Sequence, residues 1–455
     1  MHEAWCAFWN RELKKQFIKN ENWLLDRPKL SVPRPIFGWL KHRVNGGYTF
    51  GPVQFLAKNK VTGLTYEIGK TNRLPNLSSE HRLLGIHGVK DRVLLKILNK
   101  YLSDYFELKY SKFSFAYRKK AARSRGVVPS LFVRLPKRKA RAHLSVAGAL
   151  NLFIGEVQSR PYIVKVDIKS FFDSISHNIL LSRLFESGVD YDAIDLVRRY
   201  VKKVAQLRGE PNGVIQGSSI SGTLANIYLN SFDKEMERNG ICFVRYCDDI
   251  TIMAPSAREL KKAYSSAVAT LLALKLELNQ SAGKCQWVYL GSGEPKRLKS
   301  IAWERELSLL GFLFDNTREW WVRPSTMERA MEKIRVMTNY HIYKTSPQPL
   351  PLAVQKINRY LGYEQRGHDL PGHKIFRVSR GNKWRGWVTY FARVKYSPVV
   401  LMQMKQLDIF IIGRLQGMQH RLGGTALSDA KLFNELGLRT AVGMYCIKCR
   451  ADEVY

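Results

Sequence analysis

Acidic residues are scarce in this sequence: 38 Asp and Glu stand against 74 Lys and Arg in 455 residues, a net charge of +36. An imbalance of that size opposes compaction unless a polyanion is near, so it points to nucleic acid as a partner rather than to a merely soluble basic protein. The charge is also uneven, since residues 108–155 hold twelve Lys or Arg and no Asp or Glu. Long apolar runs are missing too, and none is long enough to span a bilayer. Charged residues interrupt the first fifteen positions, which excludes a secretory signal. A cytoplasmic protein with no membrane partner is expected. The six cysteines are irregularly spaced, which excludes a disulfide framework. Cys446-Ile-Lys-Cys449 is half of a zinc site with no second pair or His cluster nearby, and reads as structural or incidental. Internal repeats and low-complexity tails are absent. What remains is an ordinary apolar content of 45%, enough for a sizeable core in two or three subdomains.

Taken in order, residues 1–27 have helical spacing that ends at Pro28, Pro33 and Pro35. Residues 46–69 read as short strands, 90–107 and 142–157 as helices. Tyr162-Ile-Val-Lys-Val-Asp-Ile168 reads as a buried strand with one acid near its end. A loop at 212–217 leads into an amphipathic helix at 218–230. Two β-prone runs, Ile241 to Tyr246 and Ile250 to Ala254, then flank Asp248 and Asp249. Residues 257–276 are helical and 309–314 form a short strand pair. The pattern is helical again from Ser325, with a Pro/Gly-rich interruption at 346–386.

Taken singly, each aspartate has an ordinary reading, a turn residue for Asp248 and Asp249 and a helix or turn cap for Asp167. Together they read differently. The hairpin turn has no glycine, and its acids are shouldered by Tyr246, Cys247 and Ile250. Adjacent carboxylates in apolar surroundings repel each other and lose hydration, a conflict that a divalent cation resolves. Asp167 supplies a third carboxylate from a strand, an expensive place for a lone charge.

This order of strand Asp, Gln-Gly loop before a helix and Tyr-x-Asp-Asp hairpin resembles the palm of a reverse transcriptase, and the resemblance runs over roughly residues 80–420. Val166-Asp-Ile-Lys-Ser-Phe-Phe-Asp-Ser-Ile175 is similar to motif A of that family. Gln216-Gly-Ser-Ser-Ile-Ser-Gly-Thr-Leu-Ala-Asn226 is similar to motif B, with Ile215 and Gly222 where prolines are usual. Tyr246-Cys-Asp-Asp249 resembles motif C, Leu278-Asn279 to Lys284 motif D, and Leu309-Leu-Gly-Phe312 motif E. Arg82 to Arg92 and Phe115-Ala-Tyr-Arg118 resemble the fingers of group II intron and retron enzymes. Trp384-Arg-Gly-Trp-Val-Thr-Tyr-Phe391, with Leu407-Asp408 and Arg414-Leu415, resembles the intron-type thumb.

The resemblance implies an α+β right-hand polymerase: an N-terminal extension at 1–70, fingers at 71–160, a palm with a ferredoxin-like sheet at 161–322, and a helical thumb and C-terminal region at 323–455. It implies an RNA-directed DNA polymerase using two Mg²⁺ ions, with Asp167 and Asp248 bridging them and Asp249 as the third acid. Lys284 is the implied proton donor to pyrophosphate. Phe172, five residues past Asp167, falls at the steric gate against the 2′-hydroxyl, and Gln216 and Gly217 fall under the incoming dNTP. Arg82, Lys90, Arg92 and Arg118 are candidates for the triphosphate, although template phosphate serves each as well. Tyr246, Lys119, Lys120, Lys137, Arg138, Lys139, Trp384 and Trp387 are candidate nucleic-acid contacts; for the tryptophans, helix packing is the commoner use. No integrase or HNH-type endonuclease segment is legible, and the Val-Thr-Gly of retron enzymes occurs only at Val61–Gly63. The chain looks most like the type 2 defence-associated reverse transcriptases, which implies a structured non-coding RNA template and a cDNA product. A maturase-like RNA-binding protein and a template-independent or protein-primed DNA polymerase stay open.

Overall fold

The computed structural model describes residues 47–59, 65–71, 74, 81–118, 145–281, 283–296, 301–317, 319–339, 350–365, 376–377, 386–392, 396–421, 428–429 and 431–453. The chain divides into two compact units, Met1–Glu304 and Arg305–Tyr455.

In the first unit, β1 (Val53–Asn59), β2 (Thr65–Thr71) and β3 (His81–His87) form an antiparallel sheet in the order β2-β1-β3. Val53, Phe55 and Ala57 alternate inward along β1, as a strand with one buried face requires. β3 runs into α1 (Val89–Phe106), which buries Leu94, Ile97, Leu98 and Leu102 on one stripe. Next come α2 (Val146–Glu156), β4 (Tyr162–Asp167), the single turn α3 (Phe171–Ser174), α4 (His177–Glu186) and α5 (Tyr191–Arg208). They are followed by α6 (Ser221–Arg238), β5 (Cys242–Tyr246), β6 (Asp249–Ala254), α7 (Ala257–Ala273) and β7 (Gln286–Tyr289). Caps explain two of the helix boundaries. Asp190 accepts from the Asp192 amide at 3.0 Å at the start of α5, and Gly209, at φ +79°, ends it. Ser256 accepts from the Glu259 amide at 3.2 Å at the start of α7.

The second sheet has the order β5-β6-β4-β7 with every neighbouring pair antiparallel, which is the expected ferredoxin-like arrangement. β4 is central and its apolar residues Ile163, Val164 and Val166 are fully buried. α6 differs from expectation at both ends, starting at Ser221 and running on to Arg238. Residues 218–220 instead lie in turns, in which the Ser218 and Ser221 amides donate to the Ile215 and Ser218 carbonyls at 3.2 and 3.3 Å. The end is extended because Phe232, Asp233 and Met236 continue the buried stripe.

The second unit contains β8 (Glu306–Leu309), β9 (Phe312–Asp315) and β10 (Trp320–Val322), in the order β10-β9-β8. Leu310 and Gly311 both have positive φ, +50° and +88°, so the strand pair expected at 309–314 is a two-residue hairpin. Helices α8 (Pro324–Met337), α9 (Leu350–Leu361), α10 (Trp387–Phe391), α11 (Pro398–Arg421) and α12 (Ala441–Glu453) dominate the rest. No helix among the described residues is long and apolar enough to cross a membrane.

Asp408 of α11 caps α12, accepting from the amides of Ala441 at 2.6 Å and Val442 at 3.0 Å. Burial nevertheless pushes its carboxyl up to about 6, because the two amides only partly offset lost hydration. A native value above the ordinary 3.8 means that the carboxyl's stability contribution is present below about 4 and is lost as pH rises through about 6. The wild-type melting temperature relative to Asp408→Asn is therefore expected to fall between pH 4 and pH 7. Thermal melts of both proteins across that range check it, and a pH-independent difference contradicts it.

Candidate active site

The site is built where β4 ends. Asp167 is its last residue and pairs directly across the ladder with Asp249, the first residue of β6. Asp249 in turn pairs with Tyr246, so Cys247 and Asp248 form a two-residue loop. Cys247 adopts φ +64°, a left-handed conformation that a side chain rarely takes. The Asp248 carbonyl accepts from the Ile168 amide at 3.3 Å, tying the hairpin apex to the end of β4. The three aspartates therefore share one end of one sheet.

Their charges are arranged unequally. Lys284 lies 3.2 Å from Asp167, whose carboxylate also accepts from Asn279 at 3.3 Å. The Asn279 amide donates to the Asp167 carbonyl at 2.8 Å, which explains how a segment 112 residues downstream reaches this edge. Lys165 stands 3.8 Å from Asp249. Asp248 has no lysine or arginine in ion-pair range among the described residues. Burial, with the charges of Asp249 and Asp167, pushes its carboxyl above the ordinary range. No three His, Cys, Asp or Glu side chains among the described residues already close on one point. The donor set fits a hard oxygen-seeking dication all the same: three carboxylates, of which two draw positive charge from lysines and one is destabilised by its neighbours.

The hairpin is held from behind by Arg245, which sequence reasoning missed. Arg245 and Asp233 are both fully buried and make a two-pronged pair at 2.6 and 2.5 Å. The same guanidinium donates to Ser114 Oγ at 2.6 Å, Asn226 Oδ1 at 3.2 Å and the Cys247 carbonyl at 3.0 Å. One side chain thus joins the 111–118 turn, α6 and the aspartate loop. The signal was an arginine inside the apolar strand Cys-Phe-Val-Arg-Tyr, where a charge needs a buried partner.

The loop resembling motif B lacks its prolines but is pinned in other ways. The Tyr200 hydroxyl accepts from the Ile215 amide at 3.3 Å, Ser221 donates to the Ile215 carbonyl at 2.7 Å, and His177 contacts the Gly213 carbonyl at 2.7 Å. Gly85 of β3 donates to the Gln216 carbonyl at 2.8 Å, bringing the strand that carries Arg82 against Gln216 and Gly217. Phe172 is half-buried on α3, and its carbonyl accepts from the Val214 amide at 2.8 Å. Asp167, Asp248, Asp249, Lys284, Tyr246, Phe172, Gln216 and Gly217 thus lie on connected elements. A cavity of about 610 Å³ lined by Lys169, Leu271, Glu277, Leu278 and Asn279 opens beside them.

The remaining candidates have these surroundings. Lys90 is exposed and Arg92 half-buried on the first turn of α1. Arg118 spends its guanidinium locally, on Glu107 at 3.0 Å and the carbonyls of Ser111 and Ser114 at 2.9 and 2.8 Å. It therefore braces its own turn rather than presenting free donors to a triphosphate. In the second unit Trp387 packs on Phe391 and Tyr360, with centroids 4.8 and 6.5 Å away, as a helix-packing aromatic does. Lys119, Lys120, Lys137, Arg138, Lys139 and Trp384 lie outside the described residues.

The sequence matches the family model for Reverse transcriptase (RNA-dependent DNA polymerase) over residues 68–314, more than half of the chain, and the chain belongs to that family. Among curated proteins it is similar to YkfC of Escherichia coli K12, 24% identical over 165 residues that cover 35% of this chain and 39% of that protein. It is also similar to the Retron Ec83 reverse transcriptase of Escherichia coli, 28% identical over 25% of this chain and 39% of the relative. The Retron Mx162 reverse transcriptase of Myxococcus xanthus is 28% identical over 36% and 37%. The chain thus spans well under half the length of these curated relatives. Among solved structures, apo telomerase from Candida tropicalis aligns at a TM-score of 0.37 and 10% identity, over 86% of this chain and 66% of that one.

Proposed function

We propose that this protein copies RNA into DNA by phosphoryl transfer at the edge where Asp167, Asp248 and Asp249 meet. The observation that carries the reading is the direct pairing of Asp167 with Asp249, with Asp248 at the adjoining apex, inside a chain of the reverse transcriptase family. Asp167 and Asp248 would hold two Mg²⁺ ions, with Asp249 as the third acid. Mg²⁺ bound there supplies Lewis acidity to the primer 3′-hydroxyl and to the leaving pyrophosphate. Lys284, 3.2 Å from Asp167, is the proton donor to pyrophosphate in this reading. Phe172 excludes the 2′-hydroxyl, Gln216 and Gly217 lie under the dNTP, and Arg82, Lys90 and Arg92 attract the triphosphate.

The template in this reading is a dedicated structured non-coding RNA, copied into cDNA in bacterial antiphage defence. The net charge of +36 supports a large bound RNA, and similarity to two retron reverse transcriptases supports a bacterial setting. The fingers, palm and thumb boundaries inferred from the motifs belong to the same proposal.

The test is to purify the wild type and the Asp248→Ala/Asp249→Ala variant from cells and sequence the co-purifying RNA and DNA. One dominant structured RNA, with complementary DNA in the wild type alone, is the expected result. Abundant RNA with no DNA, even under phage challenge, would instead indicate an RNA-stabilising protein. DNA unrelated to the bound RNA would indicate untemplated synthesis.

A further inference from the structure

Tyr117 touches three parts of the site at once. Its backbone is left-handed, φ +53°, which a bulky side chain adopts only where the surroundings impose it. The preceding carbonyl, that of Ala116, is fixed by Asn226 of α6 at 2.7 Å. The ring lies against Gly222 in the first turn of α6, where a Cβ would stand 2.4 Å from it. It meets the Phe172 ring nearly perpendicularly, 86° at 6.4 Å between centroids. Its hydroxyl is 3.6 Å from the Cys247 sulfur in the aspartate loop. Even so, 51% of the residue is exposed, so it is not a core tyrosine.

Gly222 explains the fit. Glycine is less favourable than alanine in a helix, and here it leaves the room that the Tyr117 ring fills. Phe172 has one other aromatic neighbour in this cluster, Phe171, at 5.6 Å. With Tyr117 gone, the Phe172 ring loses a wall and gains rotational freedom.

We propose that Tyr117 is a positioning residue for sugar selection, its ring backing Phe172 and fixing the angle that the gate presents to the incoming nucleotide. The inference rests on the reading of Phe172 as that gate. A steric gate discriminates only if it cannot yield, so its discrimination depends on what stands behind it.

The experiment measures kcat and KM for dNTP and rNTP incorporation on a primed template, in the wild type and in Phe172→Ala, Tyr117→Ala, Tyr117→Phe, Gly222→Ala and the Gly222→Ala/Tyr117→Ala pair. Tyr117→Ala is expected to lower the dNTP preference about tenfold, the scale of one lost packing contact in a pocket. The change should appear as a gain in rNTP kcat/KM, which general loss of structure would not produce. Tyr117→Phe should keep the wild-type preference, because the hydroxyl meets only a weak thiol donor. Gly222→Ala should lower the preference by displacing the ring, and should add nothing once Tyr117 is alanine. Because alanine raises the helix propensity of α6, Gly222→Ala gives the answer even if Tyr117→Ala fails to fold. Wild-type preference in both Tyr117→Ala and Gly222→Ala, with preference lost in Phe172→Ala, overturns the role of Tyr117. Wild-type preference in Phe172→Ala overturns the gate itself.

Discussion

Asp248→Asn is expected to raise the melting temperature at pH 7 while lowering DNA synthesis by at least about a hundredfold, the scale on which a single electrostatic group at a reacting centre acts. The two effects share a cause. Asp248 lies beside two other carboxylates, and burial together with Asp249 and Asp167 pushes its carboxyl up. A carboxyl raised in the folded state stabilises the fold below the ordinary carboxylate range, and that contribution is lost as pH rises through its native value. Ionising this side chain as pH rises is therefore a cost that asparagine does not carry. A gain of about 2 °C is the right order for a chain of this size. It should shrink on acidification, because the wild type then also carries a neutral side chain. Added Mg²⁺ should raise the melting temperature of the wild type more than that of the variant, because a ligand stabilises only the state that binds it. Thermal melts with and without Mg²⁺, beside primer extension, check all of these outcomes. A variant that melts below the wild type at pH 7, or that still extends primers at the wild-type rate, contradicts this account.

Arg245→Ala is expected to cost about 3–5 kcal/mol, the usual penalty for leaving one partner of a buried ion pair uncompensated. Asp233 would remain with no exposure to water and no cation. Ser114, Asn226 and the Cys247 carbonyl would lose their donor as well. A fall of about 10 °C in melting temperature follows from the size of the domain. Arg245→Met with Asp233→Leu should recover most of that stability, because apolar residues of similar volume replace buried pairs well. The pair should not recover synthesis, because the Cys247 carbonyl, in the loop that carries Asp248, still lacks the donor that Arg245 supplied. Denaturation and primer extension on both variants separate the two contributions. Arg245→Ala melting within 2 °C of the wild type would show that the pair does not hold the hairpin.

The parts of the site legible in the sequence are those whose cause is local. Asp167 could be placed because five residues before it form a strand, and Asp248 and Asp249 because two β-prone runs flank them. Lys284 was named only through the resemblance of residues 278–284 to motif D. What was not legible depends on distant partners. Arg245 takes its meaning from residues 114, 226 and 233, and Tyr117 from 172, 222 and 247. Tyr117 also opens a run of basic residues, which drew attention to charge rather than to its ring. Gly222 was visible as a departure from proline, but its use appears only with Tyr117 lying on it. Ile215 stands where a stiffening proline is usual in the resembling motif. Tyr200, Ser221 and His177 supply the stiffness instead, through hydrogen bonds that no sequence pattern announces. Helices α4 and α5 had no assignment, although Asp190 and Gly209 mark the ends of the second.

The sheet that carries the aspartates also bears on how this protein meets other chains. An outermost strand with free amides and carbonyls is a template on which a foreign strand can add. Here β5 and β7 are outermost, and each is interrupted. Arg245 of β5 exchanges backbone bonds with Phe113 and Phe115 at 2.9 and 3.0 Å. Glu304 donates to the Trp287 carbonyl at 2.8 Å and accepts from Tyr289 at 2.9 Å beside β7. Among the described residues, neither margin therefore presents an unbroken run of free groups to a foreign strand.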